Sequence, residues 1–272
     1  MDLPVTVGID GSDASLAAAD WAAREALLRE RPLRVLHALA LMPHRPAGWA
    51  VPPPEDGGTL LHETREILAG RYPQLRTHTE QAHDLATATL TAAAEDAELL
   101  VLGARGDGGF PGLRVGSTAL YVAGRAGCPT VLLPVAPPGG GQREQVVVGV
   151  DARRPADAAL AFAFAAAQRY RLPVRALHTY PAGPADRADL VRDGETELLT
   201  RALAWWTAAH PQVEVILQVD AVGAGLALVE ASAKARLLVV GRYAPLSTGR
   251  LGPVAHAVLH HAGCPVAVVP GT

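Results

Sequence analysis

The chain of 272 residues contains one lysine, Lys234. A phosphate loop of the Walker type, G-x-x-x-x-G-K-[ST], is therefore excluded, and kinase and Schiff-base chemistry lose their usual amine. Cysteine is almost as scarce, at Cys128 and Cys264, each in a Gly-Cys-Pro tripeptide. Two thiols in so long a chain make no disulfide framework, which points to a reducing, cytoplasmic setting. Long apolar runs are missing: the longest, 158–167, has ten residues, and a bilayer needs about 20. The N-terminus leads straight into a strand, without a basic-then-apolar leader. Excess charge is absent too. A net charge of -3 supplies no basic face for nucleic acid or an anionic membrane. What remains is 49% apolar and 19% charged residues, the balance of a globular chain with room for about two domains.

Glycine is concentrated in one stretch, 99–118, LLVLGARGDGGFPGLRVGST. It opens on an apolar run of the length of a buried parallel strand and closes on a short helix beginning near Ser117. Between them lie Gly103, Gly106, Gly108, Gly109, Gly112 and Gly116. A glycine-rich loop between a strand and a helix start lets backbone N–H groups approach phosphate oxygens, and the helix dipole favours negative charge. Ser117 reads as the N-cap, with a hydroxyl able to donate to phosphate. The plain alternative is a surface loop without a ligand. The dinucleotide fingerprint G-x-G-x-x-G is absent after the first strand, where it belongs.

The chain repeats itself. Val7-Gly8-Ile9-Asp10 returns as Val148-Gly149-Val150-Asp151, and Leu36-His37 as Leu177-His178, each 141 residues on. Leu99–Gly103 returns 138 residues on, and Cys128-Pro129 returns 136 on. The shrinking offset places gaps between strands and one inside the glycine loop. A repeat of this length is a duplicated domain. The expected domains are 1–136 and 143–272, joined by the Pro/Gly linker 137–142.

Within the first copy the expected strands are 5–10, 34–41, 76–80, 99–103 and 130–134. The expected helices follow Ser12 or Asp13 to about Arg29, then 55–71 and 84–95. On the first helix Ala17, Trp21, Ala22 and Leu28 read as the apolar side. The stretch 42–54, with five prolines, reads as a loop. Second-copy strands are expected at 145–151, 174–179, 213–218, 237–241 and 265–270. Alternating strands and helices imply an α/β fold, a doubly wound parallel sheet of five strands in each domain. Ligands bind such sheets where strand order reverses, which puts Asp10 beside the Gly103 loop.

Gly103, Gly106 and Gly116-Ser117 form the pattern G-x2-G-x9-G-[ST]. This resembles the ATP-binding signature of the universal stress protein family, after the fourth strand, and the likeness covers nearly the whole chain in tandem form. The resemblance implies two Rossmann-like domains of the adenine-nucleotide α-hydrolase kind. It implies that Asp10 sits against the nucleoside, that Ala38 touches adenine through its backbone, and that Leu102 contacts adenine or ribose. It assigns the phosphates to Gly106, Gly116, Ser117 and Thr118 and counts Gly103 among the nucleotide-binding residues, with ATP as ligand and Mg2+ as its companion. It also implies a pseudo-dimer within the chain, its last strands 130–134 and 266–270 paired, with further homodimerisation open. For Asp10 a turn-forming role before the helix stands as the alternative.

The second copy departs from the pattern. Ala244 stands three residues after Gly241, only seven residues precede Gly252, and Pro253 replaces the serine. Alanine adds a Cβ and proline removes an N–H, so this copy is expected to keep the fold without ATP. Other groups fit structural roles better: His256 and His260 are one turn apart with His261 adjacent, but no H-E-x-x-H pattern and no further ligand are near, and Cys128, Cys264, His37 and His178 read as packed side chains. Three functions stay open. The first is a non-enzymatic ATP-dependent regulator of an unknown protein partner. The second is a slow ATPase or transferase using Asp10 with Arg105 or Arg114, and the third a nucleotide-free scaffold.

Overall fold

The apolar runs become parallel strands, and the helices between them are placed by small side chains and turn chemistry. The computed structural model describes residues 2–39, 57–106, 114–134, 143–182, 187–243 and 249–271. Two compact units are present, Met1–Val135 and Ala136–Thr272. The expected linker 137–142, the loop 42–54, Gly108, Gly109, Gly112 and Ala244 lie outside the described residues.

The first unit runs β1 (Val5–Ile9), α1 (Asp13–Leu28), β2 (Leu33–Ala38), α2 (Gly57–Arg71), β3 (Thr77–Ala82), α3 (Ala86–Ala93), β4 (Leu99–Gly103), α4 (Ser117–Ala123) and β5 (Thr130–Leu133). Its strands pair in the order β3-β2-β1-β4-β5, all parallel. The second unit runs β6 (Gln145–Gly149), α5 (Asp157–Tyr170), β7 (Val174–Thr179), α6 (Ala188–Ala209), β8 (Val215–Asp220), α7 (Ala224–Ser232), β9 (Ala235–Arg242), α8 (Pro253–His261) and β10 (Val266–Pro270). Its order is β10-β9-β6-β7-β8, again parallel. In each unit the first strand lies between the second and the fourth. The chain leaves it toward one side and later returns on the other, and the crevice above that reversal is open to a ligand.

Element bounds shift by a few residues from the sequence reading. β2 starts at Leu33 and β3 ends at Ala82, two residues past its expected end, because these strands stay paired as far as Ala38↔Ala82. β8 runs Val215–Asp220 rather than 213–218, in register with β7 up to Thr179↔Asp220.

The apolar side of α1 is corrected more substantially. Ala14, Ala18, Ala22 and Ala26 are buried, whereas Ala17 is exposed and Leu28 keeps 45% of its surface. A stripe of alanines lets the helix axis approach the sheet closely. At Gly103 an added Cβ would stand 2.8 Å from the Ala14 carbonyl carbon, so no side chain fits between β4 and the first turn of α1. On the opposite face, Leu36, Leu90, Leu100, Leu102, Val122 and Cys128 form one buried cluster. Burying a leucine contributes about 1.5–3 kcal/mol, which fixes α3 and α4 over β1, β2 and β4.

At the far end of the first sheet Glu25 and Arg29 are buried together on α1, one turn apart. Glu98 takes both Arg29 (2.9 Å) and Arg31 (2.5 Å). Burial would raise the Glu98 carboxyl, but the hydrogen bonds from Arg31 and Arg29 hold it below its ordinary range. This network ties β4 to α1 at the end away from the crevice.

Candidate functional site

β1 delivers Asp10 to the crevice by its register, with Gly8 opposite Leu102 and Ile9 opposite His37. The turn that follows needs Gly11, whose φ of +90° disfavours any side chain. Ser12 then caps α1, its Oγ accepting from the Ser15 N–H at 3.3 Å. The same hydroxyl donates to Asp10 Oδ1 at 2.6 Å, and the Ser12 N–H donates to that oxygen at 3.1 Å. Ser15 Oγ closes the circuit, accepting from the Asp10 N–H at 3.2 Å and donating to Ser12 O at 2.9 Å. The turn-forming role weighed for Asp10 is present, and it leaves one carboxylate oxygen over. One carboxylate oxygen builds the turn, and the other faces the glycine loop.

A cleft of about 270 Å3 opens at this point, and all eight expected residues line it: Asp10, Ala38, Leu102, Gly103, Gly106, Gly116, Ser117 and Thr118. Its floor is apolar, from Leu36, Leu90 and Leu102, and Arg105 is also at its wall. Arg114, the other arginine considered, is not in the lining. The sequence reading did not pick out Gly8, Ser15, Ala86 and Leu90. Leu90 was legible only as an apolar position of a helix, because nothing in a helical pattern says which end of the sheet it overhangs.

The three motif glycines differ in cause. Gly103 is demanded by the α1 backbone. Gly106 is demanded by Asp10, since a Cβ there would collide with Oδ2. At Gly116 the nearest atom to an added Cβ is Ala104 O at 3.7 Å, an ordinary contact, and φ and ψ are -78° and 156°. Any residue adopts that backbone, so neither conformation nor packing requires glycine at 116.

One expectation is corrected. The N-cap of α4 is Gly116, not Ser117. The extended backbone at 116 and the bond from the Leu120 N–H to Gly116 O start the helix one residue earlier in the capping frame. Ser117 is its first helical residue. The Gly116 N–H is itself engaged, donating to Ala104 O at 2.7 Å. The N–H groups of Ser117, Thr118 and Ala119 come before the first helical bond and point toward the cleft end.

The histidines and cysteines take structural positions. His37 Nδ1 lies 2.9 Å from Ile9 O. His256 and His260 stack with ring centroids 4.6 Å apart. Burial, with His256 and His261 alongside, pushes His260 below its ordinary range. Among the described residues no group of three or more His, Cys, Asp or Glu could hold a metal. Cys128 and Cys264 are buried thiols, pushed up by that burial to about 11 and about 12.

In the second unit a cluster appears that the sequence reading missed. Arg153, at the place of Ser12, reaches across to α6 and binds Glu195 through both terminal nitrogens, at 3.0 and 2.5 Å. His178 joins it, with Nε2 3.1 Å from Glu195 Oε2 and Nδ1 3.0 Å from Val150 O. The Arg153 hydrogen bonds hold Glu195 below the usual carboxylate range against its partial burial, and His178 adds to this. The partners are 42 residues apart, a separation that leaves no trace in local pattern.

Comparison with known proteins agrees with this architecture. The universal stress protein family model matches residues 3–134 and again 142–270. Rv2005c of Mycobacterium tuberculosis H37Rv, named a universal stress protein, is 31% identical over 286 residues, covering 97% of this chain and 96% of its own. Rv1996 of the same strain, also so named, is 30% identical over 308 residues, with 98% and 95% covered. A universal stress protein structure from Archaeoglobus fulgidus superposes with a TM-score of 0.74 at 15% identity, over 99% of this chain and 96% of that one. A structure from Pseudomonas aeruginosa, described as a putative universal stress protein, gives 0.64 at 16% identity, over 98% and 92%. With both halves matched by the family model and relatives at this identity along the full length, the chain belongs to the universal stress protein family as a tandem, two-domain member.

Proposed function

We propose that the first unit binds ATP, and that the protein is a non-enzymatic stress-response regulator whose nucleotide occupancy changes its binding of a protein partner. Family membership supports the stress-response role. The observation that carries the nucleotide is Gly116. It lines the cleft, yet neither its backbone nor its packing calls for glycine, so the space left there is space for a ligand. Around it stand the hydroxyls of Ser117 and Thr118 and the first N–H groups of α4, all donors suited to phosphate oxygens. Below them the apolar floor suits a planar base, and the Asp10 oxygen not used by the turn suits a ribose hydroxyl. Mg2+ accompanies the nucleotide in this reading as the counter-charge to its phosphates.

Isothermal titration of the purified full chain with ATP and Mg2+ tests the binding, and phosphate release over hours tests the chemistry. Saturable binding without steady turnover is the expected result. An absence of binding at millimolar ATP overturns the nucleotide reading, and steady turnover transfers the protein to the ATPase class.

A further inference from the structure

The second unit carries its own cleft, of about 740 Å3, at the same reversal of strand order. Its lining differs from the first cleft in a selective way. The floor is kept: Leu177, Leu228 and Val240 stand where the first has Leu36, Leu90 and Leu102. Gly149 leaves the space over Leu228 as Gly8 does over Leu90, since an added Cβ would meet the leucine at 3.0 Å or less in both. Asp151 is kept as well, and its Oδ1 accepts from the Arg153 N–H at 3.1 Å, as Asp10 accepts from Ser12.

The phosphate end is dismantled. Ser117 and Thr118 are replaced by Pro253 and Val254, both lining the cleft. Proline removes an N–H and, with valine, both hydroxyls, so three donors of the first cleft have no counterpart at these two positions, while the N–H groups of Val254 and Ala255 remain. Of the two arginines at the rim, one is already taken. Arg153 is committed to Glu195, and Arg154 Nε lies 3.9 Å from Asp151 Oδ2. An aromatic ring, Tyr243, stands in place of Arg105, its hydroxyl donating to Arg154 O at 2.7 Å. Thr179 replaces Ala38 and adds a hydroxyl at the edge of the floor.

We infer that this second cleft is a receptor for a purine nucleoside without phosphates, held on the apolar floor and by Asp151. The inference takes its picture of base and ribose from the nucleotide reading of the first unit. The two clefts would then let one chain respond to both a nucleotide and its dephosphorylated form.

Titrating the full chain with adenosine and with ATP and Mg2+ decides it by stoichiometry. One ATP and two adenosines per chain are expected, and one adenosine should still bind when ATP is saturating. Ala86→Trp and Ala224→Trp each place a large ring at the mouth of one cleft, from the first residue of α3 and of α7. The former should leave one adenosine and no ATP, and the latter one of each, mutually exclusive. Two ATP per chain overturns the inference. So does loss of all adenosine binding under saturating ATP, a measurement that needs no variant to fold. If the chain binds no ATP but Ala224→Trp still abolishes one adenosine, the first-unit reading fails and this one stands.

Discussion

Gly106 rests on the carboxylate of Asp10: a Cβ at 106 would overlap Oδ2 and lie 3.2 Å from Cγ. This contact joins the turn after β1 to the loop after β4, the two segments that frame the first cleft. Asp10 cannot swing aside freely, because Oδ1 holds both the N–H and the hydroxyl of Ser12. Gly106→Ala should therefore pull Asp10 off Ser12 and misplace the carboxylate. The expected outcome is at least a tenfold loss of ATP affinity, about 1.4 kcal/mol, read by titration calorimetry. An unchanged affinity would mean that Asp10 has no part in binding.

Gly103 and Gly116 should separate cleanly. Gly103→Ala drives a methyl into the α1 backbone, an overpacking defect of about 1–3 kcal/mol, seen as a lower urea midpoint. Gly116→Val meets no protein atom closer than 3.7 Å at its Cβ, so it should melt like the parent and yet fail to bind ATP. Gly252→Val, with nothing within 4 Å of its Cβ, should leave ATP binding unchanged. Loss of ATP in Gly252→Val as well as in Gly116→Val would show that both units bind it.

Strand order and the gathering of eight residues at one cleft were legible because they are written in local chemistry: apolar runs of buried strands, glycine where backbone must pass close, and a repeat that counts everything twice. The α1 packing face was less so. Its alanines are weaker hydrophobes than Trp21 and Leu28, and only the closeness of the sheet decides for the smaller side chains. The cap of α4 turned on one backbone bond, Leu120 to Gly116. The Arg153–Glu195–His178 cluster depends on how a long α6, packed on β8, brings Glu195 to His178 of β7, information that no single segment carries.

The Arg153–Glu195 pair should show in pH dependence. Glu195 is held below its ordinary carboxyl value of 4.5 by the Arg153 hydrogen bonds first, then by His178. A depressed carboxyl stabilises the fold fully above its unfolded pKa, and that contribution is lost as pH falls through the folded value. Arg153→Met should therefore lower the urea midpoint at pH 7. The gap to the parent should close stepwise below about pH 4.5. Arg153 keeps 57% of its side-chain surface, so the gap should also narrow at high salt. A gap independent of pH would assign the effect to packing of the arginine stem.

Cys128 and Cys264 should behave as inert thiols in the folded chain. Burial pushes them to about 11 and about 12, and the thiolate is the reactive species. Ellman's reagent at pH 8 should titrate neither within minutes in buffer, and both within seconds in concentrated guanidinium chloride. Rapid reaction of either thiol in the native protein would return the pair to consideration as redox groups.

The nucleotide should reveal itself in thermal stability. A ligand that binds only the folded form contributes about 2.7 kcal/mol at ~100 times its dissociation constant. For a unit the size of Met1–Val135 that corresponds to a rise in Tm of roughly 5–10 °C. Scanning calorimetry with and without ATP and Mg2+ should show this rise in the parent and none in Gly116→Val. With the nucleotide-free melts of the two proteins as the baseline, the difference between the two scans reports occupancy of the first cleft and not a general effect of the salt. Equal shifts in both proteins would place the nucleotide elsewhere, and no shift in either at millimolar ATP would end the case for a nucleotide.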